Sequence, residues 1–308
     1  MLQKQRYANL QDVDNQKSLF DLLRWQKERM KNKKDLSILI EQAPSKQIEQ
    51  LHTNRTDASI TWIGHSTFLI QLNGLNLITD PVWAARMGFQ KRLTQPGIQL
   101  NDLPEIDAVF ISHGHYDHLS FGTIKRLKGR PTYFVPVGLG RLFKRRGYRK
   151  VIEAAWYDSF VLDDMTFTFV PAQHWTKRTL TDTNSSHWGG WIIESKEHSI
   201  YFVGDTGYFS GFQDIAAKFI IDTVLMPIGA YEPEWFMKTD HINPEDAVKA
   251  FMELNGKTFI PMHYGAYHLA DDTGPEAMVR LDAEWRRLGI DTSQLKKLLI
   301  GETYWLSK

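Results

Sequence analysis

From Ser59 onward the chain consists of short apolar runs separated by polar residues, glycines and prolines. Short runs bounded in this way are typical of β-strands. Two of them meet at Asn73-Gly74, a dipeptide that favours a tight hairpin turn. The pattern predicts strands at residues 60–63, 67–72, 75–79, 108–111, 133–135, 166–170, 188–193, 200–203, 223–226 and 258–260.

Helical patterns separate several of these strands. One is predicted at 246–254 after Asn243-Pro244, and another at 276–288 after Gly274-Pro275, because proline is well accommodated in the first turn of a helix. Strands in both halves with helices between them predict an α/β protein, in which helices cover the outer faces of two packed sheets. We interpret residues 58–308 as one domain and residues 1–57 as an N-terminal helical extension.

The first helical piece of this extension has a basic amphipathic pattern. Two interpretations are open: the helix lies on an anionic membrane surface, or it packs its apolar stripe onto the body and leaves its lysines in water. The apolar residues are Leu19, Phe20, Leu22, Leu23 and Met30.

Composition and charge exclude several functional classes. A formal net charge of +1 over 308 residues provides no general attraction to polyanions, so no nucleic-acid partner is expected. The absence of cysteine excludes disulfides, thiolate ligands and a cysteine nucleophile. Residues 1–16 lack the apolar core of a secretory signal, and no apolar run approaches the ~20 residues of a membrane span. A cytoplasmic location is therefore expected, with peripheral membrane contact as the alternative that the amphipathic helix raises.

The densest group of candidate metal ligands is the run 113–118 (HGHYDH), directly after the predicted strand 108–111. Side chains alternate in an extended segment, so His113 and His115 are expected to point the same way and bind one metal ion. Asp117 and His118 fall where the chain leaves strand geometry, which frees them to bind a second ion. Lone histidines at strand ends are usually structural, but this density favours a two-metal hydrolase.

Three other predicted strands are each followed by one residue able to bind metal. Ligands gathered at one rim of a rigid scaffold are what a preorganised site requires. We predict two sets that share one carboxylate. His113, His115 and His174 hold the first ion, Asp117, His118 and His263 hold the second, and Asp205 bridges both.

Nitrogen and carboxylate ligands suit Zn²⁺, so two zinc ions per chain are expected, with Mn²⁺ or Fe²⁺ as alternatives. Two ions ~3.5–4 Å apart lower the pKa of a bridging water, so the expected nucleophile is hydroxide. His65 and Asp80 also follow strands. Each has either a structural role in a turn or a supporting role, in which Asp80 accepts from the free ring nitrogen of a ligand histidine or from the backbone of the motif loop.

Further segments carry a resemblance that extends over about residues 61–304. They are 62–65 (WIGH), 77–81 (LITDP), 111–119 (ISHGHYDHL), 173–180 (QHWTKRTL), 204–208 (GDTGY), 227–233 (PIGAYEP), 235–238 (WFMK) and 241–248 (HINPEDAV). With them the chain resembles the N-acylphosphatidylethanolamine-hydrolysing phospholipase D-like branch of the metallo-β-lactamase superfamily. The resemblance implies an αββα sandwich of two mixed sheets. The chain's N-terminus does not visibly match that branch.

The resemblance also implies the same seven metal ligands and adds His241 as an active-site residue near the phosphate. The implied catalytic residues are Asp117, Asp205 and His241. The implied substrate is a phospholipid or another phosphodiester that enters through an apolar cavity, and the implied assembly is a homodimer. Lys177 and Arg178 are candidates for contact with a phosphate head group.

Three functions are compatible with these residues. The first is phospholipase D-type hydrolysis of N-acylphosphatidylethanolamine-like phospholipids, with the metal-bridging hydroxide attacking phosphorus. The second is a lactone, ester or thioester hydrolase that uses the same dinuclear site on a carbonyl. The third is a metal-binding scaffold without catalysis, against which the intact ligand set argues.

Overall fold

The computed structural model describes residues 5–307 except residues 12, 14, 16 and 89. The expectation that residues 1–16 hold no secretory signal therefore falls partly outside the described residues. No helix among the residues described is both long and apolar enough to cross a membrane.

Fifteen strands are present among the described residues. They are β1 (Ser59–Gly64), β2 (Thr67–Leu72), β3 (Leu75–Thr79), β4 (Arg86–Met87), β5 (Gln90–Lys91), β6 (Ile106–Phe110), β7 (Gly129–Pro136), β8 (Val151–Ala154), β9 (Ser159–Leu162), β10 (Met165–Val170), β11 (Gly190–Glu194), β12 (Ser199–Phe202), β13 (Thr223–Pro227), β14 (Thr258–Met262) and β15 (Thr303–Trp305). The helices are α1 (Leu19–Lys31), α2 (Ile48–Thr53), α3 (Phe121–Ile124), α4 (Gly140–Lys144), α5 (Gly211–Ala216), α6 (Glu234–Met237), α7 (Pro244–Glu253) and α8 (Gly274–Arg287).

Two mixed sheets form the body, as predicted. The first has the strand order β15-β1-β2-β3-β6-β7-β8, and the second has the order β14-β13-β12-β11-β10-β9. Strands β3, β6, β7 and β8 run parallel in the first sheet, as do β12, β13 and β14 in the second. The remaining neighbours in both sheets are antiparallel.

Side chains of the first sheet alternate between two apolar clusters. Ile70 and Phe110 pack into the main core with residues of the second sheet. Leu69 and Val109 point to the opposite face and pack with Phe143 of α4. Because successive strand residues face opposite ways, both faces of this sheet are buried between layers.

All ten predicted strands are present, and β2 and β3 have the predicted bounds. The sequence pattern missed β4, β5, β8, β9 and β15. Strands β8, β9 and β15 lie at the edges of the two large sheets. Edge strands bury fewer side chains than central ones, so their apolar pattern is weak. Most residues of these three strands are only half-buried or are exposed.

Helix α1 matches the predicted amphipathic helix, but none of its residues is buried. Leu19, Phe20, Leu23 and Met30 are between 57% and 75% exposed. The helix contacts the body through its other side, where Trp25 stacks on Phe236 with ring centroids 5.0 Å apart. The interpretation in which the apolar stripe packs onto the body is therefore wrong.

Candidate metal centre

The HGHYDH run lies in a loop, because β6 ends at Phe110. The expectation that strand alternation orients His113 and His115 is therefore wrong. A tight turn begins at His115 instead: the amides of His118 and Leu119 both donate to the carbonyl of His115, at 3.3 and 2.9 Å. Around this turn the rings of His113 and His115 come within 2.8 Å of each other, and the side chains of Asp117 and His118 within 3.3 Å.

Arg178 holds this loop from outside. Its guanidinium donates to the carbonyls of Gly114 at 2.6 Å and Leu119 at 3.1 Å. It also lies over the ring of Tyr116, 4.1 Å from the centroid. Burial lowers the pKa of Arg178, although the group stays a cation. The structure thus shows Nη1 of Arg178 bound to backbone carbonyls of the loop.

The predicted first set converges. His113 Nε2 lies 2.8 Å from His115 Nδ1, and His174 Nε2 lies 3.2 Å from the same atom. Asp205 Oδ2 is 3.9 Å from both His113 Nε2 and His174 Nε2. Three ring nitrogens and one carboxylate oxygen therefore surround a common point.

The predicted second set converges beside the first. Asp117 Oδ2 lies 3.3 Å from His118 Nε2 and 3.6 Å from His263 Nε2. Asp205 Oδ2 is 3.1 Å from His118 Nε2, and Asp205 Oδ1 is 3.1 Å from His263 Nε2. The Asp205 carboxylate thus contacts both sets. We call these residues the ligand rim: His113, His115, Asp117, His118, His174, Asp205 and His263.

The ligand rim has the donor atoms that a metal cation needs. His118 Nε2, His263 Nε2 and Asp205 Oδ1 are buried without a hydrogen-bond partner among the described residues. Polar atoms left in this state cost stability, and a cation bound between them would supply the missing partner. Imidazole nitrogens with carboxylate oxygens are also the donor set that Zn²⁺ prefers.

The Asp80 carboxylate and the Asp240 carbonyl each contact the Nδ1 atom of a histidine in the ligand rim. Asp80 Oδ2 accepts from His118 Nδ1 at 2.6 Å, and Asp80 Oδ1 accepts from the amide of Ser112 at 2.7 Å. The two hydrogen bonds that the sequence left as alternatives for Asp80 are thus both present. The carbonyl of Asp240 lies 2.8 Å from His174 Nδ1. Such partners fix the tautomer that leaves the other nitrogen free for metal.

His65 also supports the ligand rim. Its Nε2 lies 3.1 Å from Asp117 Oδ2, and its ring lies 4.1 Å from that of His263. Its backbone has a φ of +56°, a conformation that is uncommon for residues other than glycine. His65 therefore has both of the roles that the sequence left open: it is a turn residue and a partner of Asp117.

His241 lies at the edge of the ligand rim. Its Nδ1 is 3.9 Å from Asp205 Oδ2, and its ring centroid is 5.2 Å from that of His174. The side chain keeps 17% of its surface exposed, whereas that of His174 has none. Burial lowers the pKa of His241 to about 4, although Asp205 acts in the opposite direction. The ring is thus neutral at pH 7 and open to a ligand.

Charges within the ligand rim balance one another. Burial acts to raise the pKa of Asp205, but His118 and His263 outweigh it and hold the pKa well below its usual range. Burial lowers the pKa of His113 well below its usual range, and His118 acts in the same direction. Although burial acts in the opposite direction, Asp205 raises the pKa of His118 well above its usual range and that of His263 to about 9, so these two rings must lose a proton when metal binds.

Sequence reasoning missed three contributors: Asn9, Asn15 and the backbone of Asp240. Asn9 and Asn15 contact the backbone of His174. Their stretch of sequence has no apolar period and no motif, so nothing in the sequence pointed to them.

Comparisons with known proteins concern the family and the fold of this chain. Residues 75–264 match the family described as "Beta-lactamase superfamily domain". Over 226 residues the chain is 40% identical to N-acyl-phosphatidylethanolamine-hydrolyzing phospholipase D 1 of Caenorhabditis elegans, which covers 67% of this chain and 64% of that protein. It is 30% identical to the mitochondrial N-acyl-phosphatidylethanolamine-hydrolyzing phospholipase D of Saccharomyces cerevisiae, over 77% of this chain and 54% of that protein. The matched regions thus span between half and two thirds of these relatives.

A solved structure shows the same fold. Igni18, a metallo hydrolase from the archaeon Ignicoccus hospitalis, superposes with a TM-score of 0.64 at 21% identity, over 82% of this chain and 100% of that chain. At this identity the likeness concerns the fold alone. The matches in sequence confirm the resemblance that the motifs indicated.

Proposed function

Because the chain belongs to the beta-lactamase superfamily, we propose that it is a dinuclear metal-dependent phosphodiesterase that hydrolyses N-acylphosphatidylethanolamine-like phospholipids in the manner of a phospholipase D. The observation that carries the proposal is the position of the Asp205 carboxylate. Each of its two oxygens lies 3.1 Å from a ring nitrogen of the second set, and Oδ2 also lies 3.9 Å from His113 Nε2 of the first set. The names of two relatives support the choice of substrate class.

For the ligands we propose the division that the sequence indicated. His113, His115 and His174 would hold one ion and Asp117, His118 and His263 the other, with Asp205 shared. Zn²⁺ is the proposed metal, with Mn²⁺ or Fe²⁺ as alternatives. When bound, the two ions supply an acidified water as nucleophile and neutralise charge that develops on the phosphoryl oxygens.

Residues of this chain set the geometry of attack. Asp117, held by His65 and close to His118, is placed to orient the nucleophile and take up its proton. Asp205, whose carboxylate contacts both sets, would hold them beside each other. His241, neutral and partly exposed at the edge, is placed to contact the phosphate or the leaving alcohol.

Hydrolysis of N-acylphosphatidylethanolamine in ¹⁸O-labelled water tests which bond breaks. Attack at phosphorus places the label in the phosphate of phosphatidic acid and leaves the N-acylethanolamine unlabelled. Label in a free fatty acid would show attack at a carbonyl and move the protein to the ester, lactone or thioester hydrolases. Label in the N-acylethanolamine would show carbon–oxygen cleavage and refute attack at phosphorus.

Contact with a lipid surface is part of the proposal. Leu19, Phe20, Leu23 and Met30 of α1 are exposed beside the basic residue Lys27. Exposed apolar and basic side chains on one helix face suit an anionic interface. A homodimer is proposed on the resemblance alone, and light scattering of the purified chain tests it. We likewise propose that residues 1–57 form an extension to a domain at 58–308.

A further inference from the structure

We infer that residues 5–17, which we call the N-terminal arm, position His174 for metal binding and thereby slow the release of metal. The inference rests on the proposed metal site but not on the proposed substrate. It assigns Asn9 and Asn15 as positioning residues, which contact the backbone of a proposed ligand and not the metal itself. Residues 12, 14 and 16 of the arm lie outside the described residues.

The loop that carries His174 has no regular structure of its own. It follows β10, which ends at Val170, and no helix or strand is present before β11 begins at Gly190. A ligand on such a loop lacks the ladder of hydrogen bonds that would hold it in a sheet. Fixing its backbone therefore requires hydrogen bonds from elsewhere in the fold.

The arm supplies a hydrogen bond to each backbone polar group of His174, the amide and the carbonyl. The amide of His174 donates to Asn9 Oδ1 at 3.0 Å, and Asn15 Nδ2 donates to the carbonyl of His174 at 3.1 Å. Asn9 Nδ2 also donates to Asn15 Oδ1 at 3.0 Å, which ties the two asparagines together. The side chains of Asn9 and Asn15 therefore bind the amide and the carbonyl of the same residue, His174.

The same side chains are anchored to the body. Asn9 Oδ1 accepts a second hydrogen bond, from Trp188 Nε1 at 3.0 Å, and Trp188 is fully buried. Asn15 Nδ2 lies 2.5 Å from Asp240 Oδ1, and Lys17 Nζ lies 3.6 Å from Asp240 Oδ2. Because the carbonyl of Asp240 orients the ring of His174, the arm fixes both the backbone and the ring partner of this residue.

Loss of such supporting hydrogen bonds typically weakens metal binding by about 10–100-fold, because the ligand must then be ordered when the metal binds. The arm lies outside the region of the family match, which begins at residue 75.

The test follows transfer of Zn²⁺ from the zinc-loaded full chain to a coloured chelator, without any substrate. Asn9→Ala and Asn15→Ala are each expected to release zinc about 10–100-fold faster than wild type, with native circular dichroism. Asn9→Asp keeps the acceptor oxygen for His174 and Trp188 but loses the donor to Asn15 Oδ1, so its release rate should lie between those of wild type and Asn9→Ala. Gln11→Ala is the matched control, since Gln11 lies on the same arm but donates to Ser210 Oγ at 2.5 Å.

Wild-type release rates in both alanine variants would overturn the inference, and so would equal acceleration in Gln11→Ala. A wild-type protein that retains zinc but does not cleave phosphodiesters would refute the proposed function and leave the inference standing. A wild-type protein that binds no metal would refute both.

Discussion

The ligand rim and helix α1 are held in place in different ways. In the ligand rim a ring is held from two sides: His118 turns Nε2 toward Asp205 and binds Asp80 through Nδ1 at 2.6 Å. Helix α1 is attached along one side only, where Trp25 Nε1 donates to Asp271 at 2.8 Å and Glu28 accepts from Trp235 at 2.9 Å. The other side of α1 has no contact that buries it.

Because of this difference, we expect the ligand rim to govern turnover and α1 to govern association with a partner surface. Buried groups with fixed partners are preorganised, so substitutions in the ligand rim should change turnover while the fold persists. Exposed groups on α1 contribute little to folding, so substitutions there should change association with a partner while turnover on a small substrate persists. The predictions below test this separation, from the largest expected effect to the smallest.

The largest effect is expected for Asp205→Asn. A neutral amide spans two cations poorly, so hydrolysis should fall to background and bound metal should decrease. Elemental analysis and turnover of bis-p-nitrophenyl phosphate measure both effects, with circular dichroism as the control for folding. A variant that kept both ions and near-normal turnover would remove Asp205 from the ligand rim.

His241→Gln should lower turnover by about 10²–10⁴-fold, the range expected for a lost acid–base or electrostatic group. Metal content should stay at the wild-type level, because His241 lies at the edge of the ligand rim. Turnover and elemental analysis of the same preparation decide the question. Loss of one ion would make His241 a ligand, with His263 the first residue to be reassigned.

On α1, the double variant Leu19→Glu/Leu23→Glu should bind vesicles of phosphatidylcholine and phosphatidylserine about 10²-fold more weakly. Each buried leucine is worth at least about 1.5 kcal/mol, or roughly tenfold in partition. Co-sedimentation measures binding, and turnover of bis-p-nitrophenyl phosphate should not change. Val279→Glu on α8, which is 66% exposed, serves as the matched control. Equal binding by the double variant and wild type would argue against lipid contact through α1.

The smallest effect concerns His187, which joins the N-terminal arm to the body. Its ring lies 4.5 Å from that of Tyr7 and 4.1 Å from that of Trp156. Burial lowers the pKa of His187 to about 4, so the folded protein favours the neutral ring. The stability this provides is present above about pH 6.5, the unfolded pKa, and is lost as pH falls toward 4.

His187→Phe keeps the stacking but cannot be protonated. Between pH 7 and pH 5 the wild type should lose about 2 kcal/mol of unfolding free energy more than the variant does. Urea unfolding of both proteins at each pH measures the difference. Parallel pH profiles would show that the ring of His187 is not kept neutral by folding.

Much of the fold followed from sequence because its central strands are buried. Strands β2 and β3 have the predicted bounds, since an apolar run between turn residues has few alternatives. Strands β8, β9 and β15 were not predicted, because each lies at an edge of its sheet and has a weak apolar pattern. The residues proposed for the ligand rim were all named from sequence, since histidine and aspartate after apolar strands are uncommon enough to stand out.

What sequence by itself determined is therefore which residues are chemically suited and which segments are strands or helices. Only the tertiary structure decided which of them meet. Asp205 reaches both ligand sets because the loops around it converge there, and Asn9 reaches His174 across 165 positions of the chain. Helices α1 and α8 make the same point: α8 buries Leu281 and Trp285, whereas α1 exposes Leu19 and Leu23. Periodicity shows that a helix has an apolar face, but what covers that face depends on the surfaces packed around it.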